Sequence, residues 1–211
     1  MDPLRDLDDR LFYTINALAR RTDWLHSPVV QYATHGVVLF ALLLLSGVFL
    51  ARIRDSRTLA AAGWAGIATL LALAVNQPLT HVFNEARPYV THPTVLLLVA
   101  RSPDSSFPSD HAVMAGAAAT GLLLANRRLG LIAAVAAVLM AFSRVYVAAH
   151  YPWDVAAGLA VGAGVAGFGW LLLRVPLIAA TAWLRRQPGV RTGFAPTREW
   201  PPAGTGIHAR A

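Results

Sequence analysis

The chain has 211 residues, 56% of them hydrophobic and only 14% charged, with a mean hydropathy of +0.50. A soluble domain carries about a quarter charged residues, so this composition excludes an ordinary soluble globule and predicts one membrane domain. Cysteine is absent, which excludes disulfides and thiolate chemistry; the formal net charge of +7 is carried by arginine with no lysine, placed between apolar segments as membrane topology demands and not as a nucleic-acid-binding patch.

The start, Met1-Asp2-Pro3-Leu4-Arg5-Asp6, lacks the apolar core and cleavage site of a secretory signal, so insertion is expected to rely on internal segments. Leu4, Leu7, Leu11, Phe12, Ile15 and Leu18 recur at helical spacing, with Asp6, Asp8, Asp9 and Arg10 between them. This predicts an amphipathic helix, either lying on the membrane surface or packed on the bundle. Residues 28–51 carry no charge apart from any on His35, and residues 58–80 carry none. Both stretches are long enough to cross about 30 Å of hydrocarbon. Runs at 112–126 and 129–143 are shorter and reach spanning length when extended to Ser109 and Val147. A fifth run covers 155–173, where Gly158, Gly162 and Ala166 form a small-residue stripe suited to close helix packing. Residues 176–184 either extend it or lie on the surface. Residues 187–211, rich in Pro, Gly, Arg and Thr without apolar periodicity, are expected to form a disordered cytoplasmic tail beyond a membrane domain of residues 1–186.

The expected fold class is thus an all-α integral-membrane bundle of about five transmembrane helices plus an N-terminal amphipathic interfacial helix. A sixth crossing arises if the first segment inserts. Arg52, Arg54 and Arg57 lie between the first two spans, Arg127 and Arg128 between the third and fourth, and Arg174, Arg185 and Arg186 after the fifth. The positive-inside rule places these on the cytoplasmic face and residues 81–109 and 147–153 on the outer face.

Three polar clusters fall at those outer ends: Glu85-Ala86-Arg87-Pro88, Ser106-Phe107-Pro108-Ser109-Asp110-His111, and Ser143-Arg144 followed by His150 and Asp154. Ionisable groups at membrane depth cost about 2.5–3.5 kcal/mol each, so packing alone does not explain their gathering. Pro108-Ser109 reads as a helix start with Ser109 as N-cap, an arrangement that favours phosphate. Pro152 suits the first helical position of the last span, which puts Asp154 in its first turn, four residues after His150. That separation lets the carboxylate reach the imidazole N–H and fix its tautomer. Arg87 and Arg144 are planar forks able to grip phosphate oxygens. Glu85 reads as a local ion-pair partner, and Asp104, Ser105 and Ser106 as loop polarity.

Arg87-Pro88, Pro108-Ser109-Asp110-His111 and the Ser143-Arg144, His150, Asp154 series resemble the three signature motifs of the type-2 phosphatidic acid phosphatase superfamily. The resemblance implies that His150 attacks phosphorus, that Asp154 orients it, and that His111 protonates the leaving oxygen. It further implies that Arg87, Arg144 and Ser109 hold phosphate oxygens and that no metal or other cofactor is needed. In the family's first motif a Lys usually stands seven residues before the Arg; here that position is Thr80, with His81, Asn76 or Gln77 as candidate substitutes. Asp110, where Gly is commonest, resembles the bacitracin-resistance branch, the undecaprenyl-diphosphate phosphatases. The implied substrate is a lipid phosphate or diphosphate in the bilayer of a bacterial cytoplasmic membrane, with the site facing outward and a homodimer left open. Phosphatidic acid or phosphatidylglycerol phosphate, or transfer of phosphate between lipids, are the alternatives within this class. A small phosphate or lipid transporter is the alternative outside it.

Overall fold

A computed structural model describes residues 3–187, and the expected tail from residue 188 onward lies outside the described residues. The described chain is helical: α1 (Pro3–Ala19), α2 (Asp23–His35), α3 (Val37–Ala51), α4 (Ser56–Phe83), the single turn α5 (Pro88–Thr91), α6 (Asp110–Ala125), α7 (Arg127–Tyr146) and α8 (Pro152–Arg186). Among them, three stretches are long and apolar enough to cross a membrane: Ser56–Thr91, which contains α4, then α7 and α8.

The hub is α6, against which α4, α7 and α8 all pack. Its sequence alternates Ala and Gly with few large residues, and nine of its residues from Ala112 to Leu122 are buried. In lipid there is no hydrophobic drive between helices, so association rests on dispersion at close backbone approach, which small residues permit. The stripe on α8 serves this purpose. A Cβ on Gly162 would collide with the Val113 carbonyl oxygen and the Ala117 nitrogen, and one on Gly158 would lie 2.8 Å from the Ser109 carbonyl oxygen. Trp64 of α4 closes the same core, donating from its indole to the Ala166 carbonyl at 2.9 Å.

Two expectations change and one open alternative is decided. Residues 28–51 are not one straight crossing; α2 and α3 meet at Gly36 with a bend of 54°. Gly36 packs tightly, since a Cβ there would sit 2.5 Å from both Met140 Cε and the Tyr32 carbonyl oxygen. Second, α6 does not lengthen past its N-cap at Ser109 and has 16 residues, about 24 Å at 1.5 Å per residue. Burial among three longer helices lets so short a helix stand. Third, residues 176–184 extend α8, which runs unbroken for 35 residues through Pro176.

Of the two readings of the first segment, the structure shows the helix packed on the bundle by one face of α1. Asn16, buried, exchanges two hydrogen bonds with the main chain of Leu96, and Arg20 donates to the Thr94 carbonyl. Phe12 is buried against Tyr151 and His92. The other face exposes Leu4, Leu7, Leu11 and Leu18. The helix therefore straps the 92–99 loop onto the bundle and turns an apolar face outward.

Gly162→Val is expected to destabilise the purified protein by about 3 kcal/mol, because the new side chain must displace main chain of α6 and not a flexible side chain. Thermal unfolding in detergent measures this; an unshifted midpoint would mean that α8 and α6 are not in backbone contact at this level.

Candidate active site

The polar clusters come together at one end of the bundle because α4 and α7 end there and α6 and α8 begin there. Helix α4 stops at Asn84, whose left-handed conformation (φ 42°) lets the chain turn sharply into Glu85-Ala86-Arg87. The 147–151 turn after α7 contains Ala148 at φ 60°, a strained region for a residue with a Cβ. That turn folds back so that the N–H groups of Ala149 and His150 both donate to the Arg144 carbonyl, at 3.1 and 3.3 Å. Pro152 then opens α8, with the Asp154 carboxylate accepting from the Tyr151 N–H at 2.8 Å to cap it.

Arg87, His111, Arg144 and His150 line a single cleft of about 580 Å³, together with Asp110, His81, Gln77 and Thr80. Two of the expected site residues are not on its walls. Ser109 and Asp154 are buried behind it. The Ser109 hydroxyl does not cap α6 as expected; it is buried without a hydrogen-bond partner, while the Ser109 N–H donates to the Asp154 carbonyl at 3.2 Å.

The bracing of His150 also differs from the expectation. Its Nδ1 lies 2.8 Å from the Ser106 carbonyl oxygen and 3.5 Å from the Asp154 carboxylate. A carbonyl only accepts, so Nδ1 carries the proton and Nε2 presents a lone pair toward the cleft, 3.3 Å from Arg87 Nη1. The Asp154 carboxylate instead accepts from the Ser106 hydroxyl at 2.5 Å. Ser106 is fully buried, and its N–H donates to the Glu85 carbonyl at 2.8 Å. It is a functional residue that the sequence reading placed with loop polarity. Its carbonyl, which does the orienting, belongs to every residue type and leaves no mark in a sequence.

Burial pushes the His150 imidazole well below its ordinary range, and the nearby Arg144 and Arg87 cations push it further down; the Ser106 carbonyl opposes them. The ring is therefore neutral near pH 7. Both arginines are held by main-chain oxygens. Arg87 donates to the carbonyls of Asp104 at 2.8 Å and Ala149 at 3.1 Å, and Arg144 donates to Ala33 at 3.1 Å with its buried Nε unpartnered. Among the described residues no carboxylate pairs with either guanidinium, so their charge stays available to an incoming anion.

At the position of the missing Lys, the Thr80 hydroxyl is bound back to the Gln77 carbonyl. Of the proposed substitutes, His81 and Gln77 line the cleft, whereas Asn76 is buried and donates to Asp110 at 2.7 Å. Glu85, expected as an ion-pair partner, makes no ion pair among the described residues; its carbonyl receives Ser106 and Ser105 instead. Among the described residues no three His, Asp or Glu side chains gather as metal ligands would.

A sequence model of the PAP2 superfamily matches residues 61–176, which contain all three motifs. The chain belongs to the PAP2 superfamily and is a multi-pass membrane phosphatase. It is 35% identical to undecaprenyl-diphosphatase BcrC of Bacillus subtilis (strain 168) over 151 residues, 72% of this chain and 76% of that protein. It is 36% identical to decaprenylphosphoryl-5-phosphoribose phosphatase of Mycobacterium tuberculosis (strain H37Rv) over 136 residues, 64% of this chain and 71% of that one. The crystal structure of a transmembrane PAP2-type phosphatidylglycerolphosphate phosphatase from Bacillus subtilis superposes with a TM-score of 0.61 over 88% of this chain and 90% of that one, at 20% identity, which establishes the shared fold.

Beside the cleft, Asp8 of α1 accepts from the Trp153 N–H at 2.9 Å. Burial raises its carboxyl from 3.8 to about 6, with Asp154, Asp9 and Glu85 adding to the shift and the Trp153 bond opposing it. A raised carboxyl pKa means that the folded state prefers the neutral acid, so stability falls as pH rises from about 4 to about 6 and is fullest below that window. The thermal midpoint of the wild type is expected to decline across this range relative to Asp8→Asn, which keeps the acceptor and cannot ionise. Parallel curves for the two proteins would remove Asp8 from the coupling.

Proposed function

We propose that this protein hydrolyses a polyprenyl diphosphate of the undecaprenyl type to the monophosphate and phosphate, through a phospho-histidine on His150, at the outer face of a bacterial cytoplasmic membrane. The observation that carries the reading is the convergence of Arg87, Arg144, His111 and the neutral His150 on one cleft at one end of the bundle. The name of the Bacillus subtilis relative supports the substrate, and the positions of Arg52, Arg54, Arg127 and Arg128 at the other end support the orientation.

In the first step the Nε2 lone pair attacks the terminal phosphorus and an N–P bond forms. The anhydride P–O bond breaks, and His111, which takes up a proton when the anionic substrate binds and offsets Arg87 and Arg144, gives that proton to the leaving monophosphate oxygen. In the second step His111, now neutral, takes a proton from water; the hydroxide oxygen bonds to phosphorus as the N–P bond breaks, and phosphate leaves. Arg87 and Arg144 neutralise the non-bridging oxygens throughout, the main task in phosphoryl transfer. Ser106 and Asp154 keep the imidazole in the reactive tautomer.

A second reading, a lipid monophosphate substrate, draws on Thr80. With the Lys position neutral and Asp110 on the cleft wall, less positive charge is present to meet a diphosphate.

Purified protein presented with undecaprenyl diphosphate, phosphatidic acid and phosphatidylglycerol phosphate is expected to release phosphate fastest from the first, with or without a chelator. A preference for a monophosphate would favour the second reading, and loss of activity with chelator would overturn the metal-free route. His150→Ala should abolish release, and continued turnover would refute the nucleophile. Ser106→Ala removes one hydrogen bond to a carboxylate and should lower kcat by about 10–100-fold with little change in KM; an unaltered kcat would show that Asp154 is held by other means.

A further inference from the structure

A second cleft is larger than the one described above. It lies at the opposite end of the bundle, between the C-terminus of α3, the N-terminus of α4 and the turn joining α6 to α7, with a volume of about 940 Å³. We propose that it is a binding site for an anionic phospholipid, with the phosphate at the arginine rim and an acyl chain along α3.

Its rim carries Arg54, Arg127 and Arg128. All three are exposed, and none has an ion pair or a side-chain hydrogen bond among the described residues. The other polar groups nearby are committed. The Asp55 carboxylate, the one acid of the cleft, accepts from the N–H and hydroxyl of Thr58 at 2.9 and 2.8 Å and so caps α4. Asn126 accepts from the Arg128 and Leu129 N–H groups and caps α7. Arg52 lies over the Phe49 ring at 3.8 Å. Arg185, reaching from α8, donates to the carbonyls of Arg54 and Arg52 at 2.6 and 3.0 Å and pins the turn that carries Arg54. The rim is thus a fixed frame with three guanidiniums left over, a set that attracts phosphate.

The wall below the rim decides that the ligand is an amphiphile and not a free anion. Leu50, Ala51, Ile53 and Gly47 line it. Leu50 and Leu39 share that face of α3 and are each more than a third exposed. A headgroup at the guanidiniums would lay its chain on this apolar row, and a soluble phosphate would leave it uncovered. Basic pockets between membrane helices at headgroup level select anionic lipids on these grounds.

The test uses the full chain purified in a neutral detergent, scored by native mass spectrometry for retained phosphatidylglycerol against phosphatidylcholine, with inorganic phosphate as a soluble competitor. The wild type is expected to retain phosphatidylglycerol preferentially, and phosphate in the millimolar range is expected not to displace it. The triple variant Arg54→Gln, Arg127→Gln, Arg128→Gln should lose about tenfold in affinity, whereas Arg→Lys at all three should retain most of it. If the glutamine variant fails to purify, Arg127→Gln and Arg128→Gln singly, both at exposed positions, should each weaken retention about threefold. Equal retention by wild type and glutamine variants, or equal retention of the two lipids, would overturn the proposal. Displacement by phosphate would also overturn it and reassign the cleft to small anions. Phosphatase turnover in the same detergent is expected to stay within about twofold, so this result stands apart from the outcome for His150.

Discussion

A serine buried at the end of an apolar bundle makes three hydrogen bonds to three separate stretches of chain. The Ser106 N–H reaches the turn after α4, its carbonyl reaches His150 after α7, and its hydroxyl reaches Asp154 in the first turn of α8. Polar groups so deeply buried cost several kcal/mol when unpaired, so any displacement of one stretch leaves an unsatisfied atom in the others. The node therefore fixes where the 85–87 turn, the imidazole and the α8 start lie relative to one another. Arg87 follows from the first of these, since its guanidinium rests on the Ala149 carbonyl beside the same histidine. An Asp–His pair alone would orient one ring; with Ser106 between them, the orientation extends to the phosphate grip.

Electrostatics divide the molecule along its length. At the catalytic end, buried main-chain carbonyls hold Arg87 and Arg144 without neutralising them. At the far end, arginines outnumber a single committed acid, Asp55. Between the two lie α4, α6, α7 and α8, in contact through Ala and Gly with few polar side chains. Dispersion at close range holds this middle together, and it tolerates no bulk at Gly162 or Gly121, where the neighbouring atoms are backbone. The charged ends and the small-residue middle are separate physical problems, and the sequence solves each with a different residue class.

The helices, their apolar length and the three polar clusters were legible because each leaves a periodic or compositional trace. The cleft residues His111, His150, Arg87 and Arg144 were legible as motif positions. What was not legible depended on main-chain atoms or on contacts distant in sequence. The Ser106 carbonyl, the Ala33 carbonyl under Arg144 and the Glu85 carbonyl all act through groups common to every residue. The break at Gly36 was not read because residues 28–51 carry no full charge, although Gln31, Thr34 and His35 just before that glycine make the first part more polar than the second. The apolar run at 112–126 marked α6 closely, and its start just after Ser109 was legible from Pro108-Ser109.

The bend between α2 and α3 reaches into the chemistry. Ala33 lies in the last turn of α2, where helical carbonyls lose their N–H partners, and its oxygen is the one that receives the Arg144 guanidinium. A straight helix would have spent that oxygen on its own ladder. The anion grip thus leans on a hinge in a helix whose neighbour, α3, faces the lipid. A change of angle at this bend would move the oxygen that holds Arg144, and with it the spacing of the two forks.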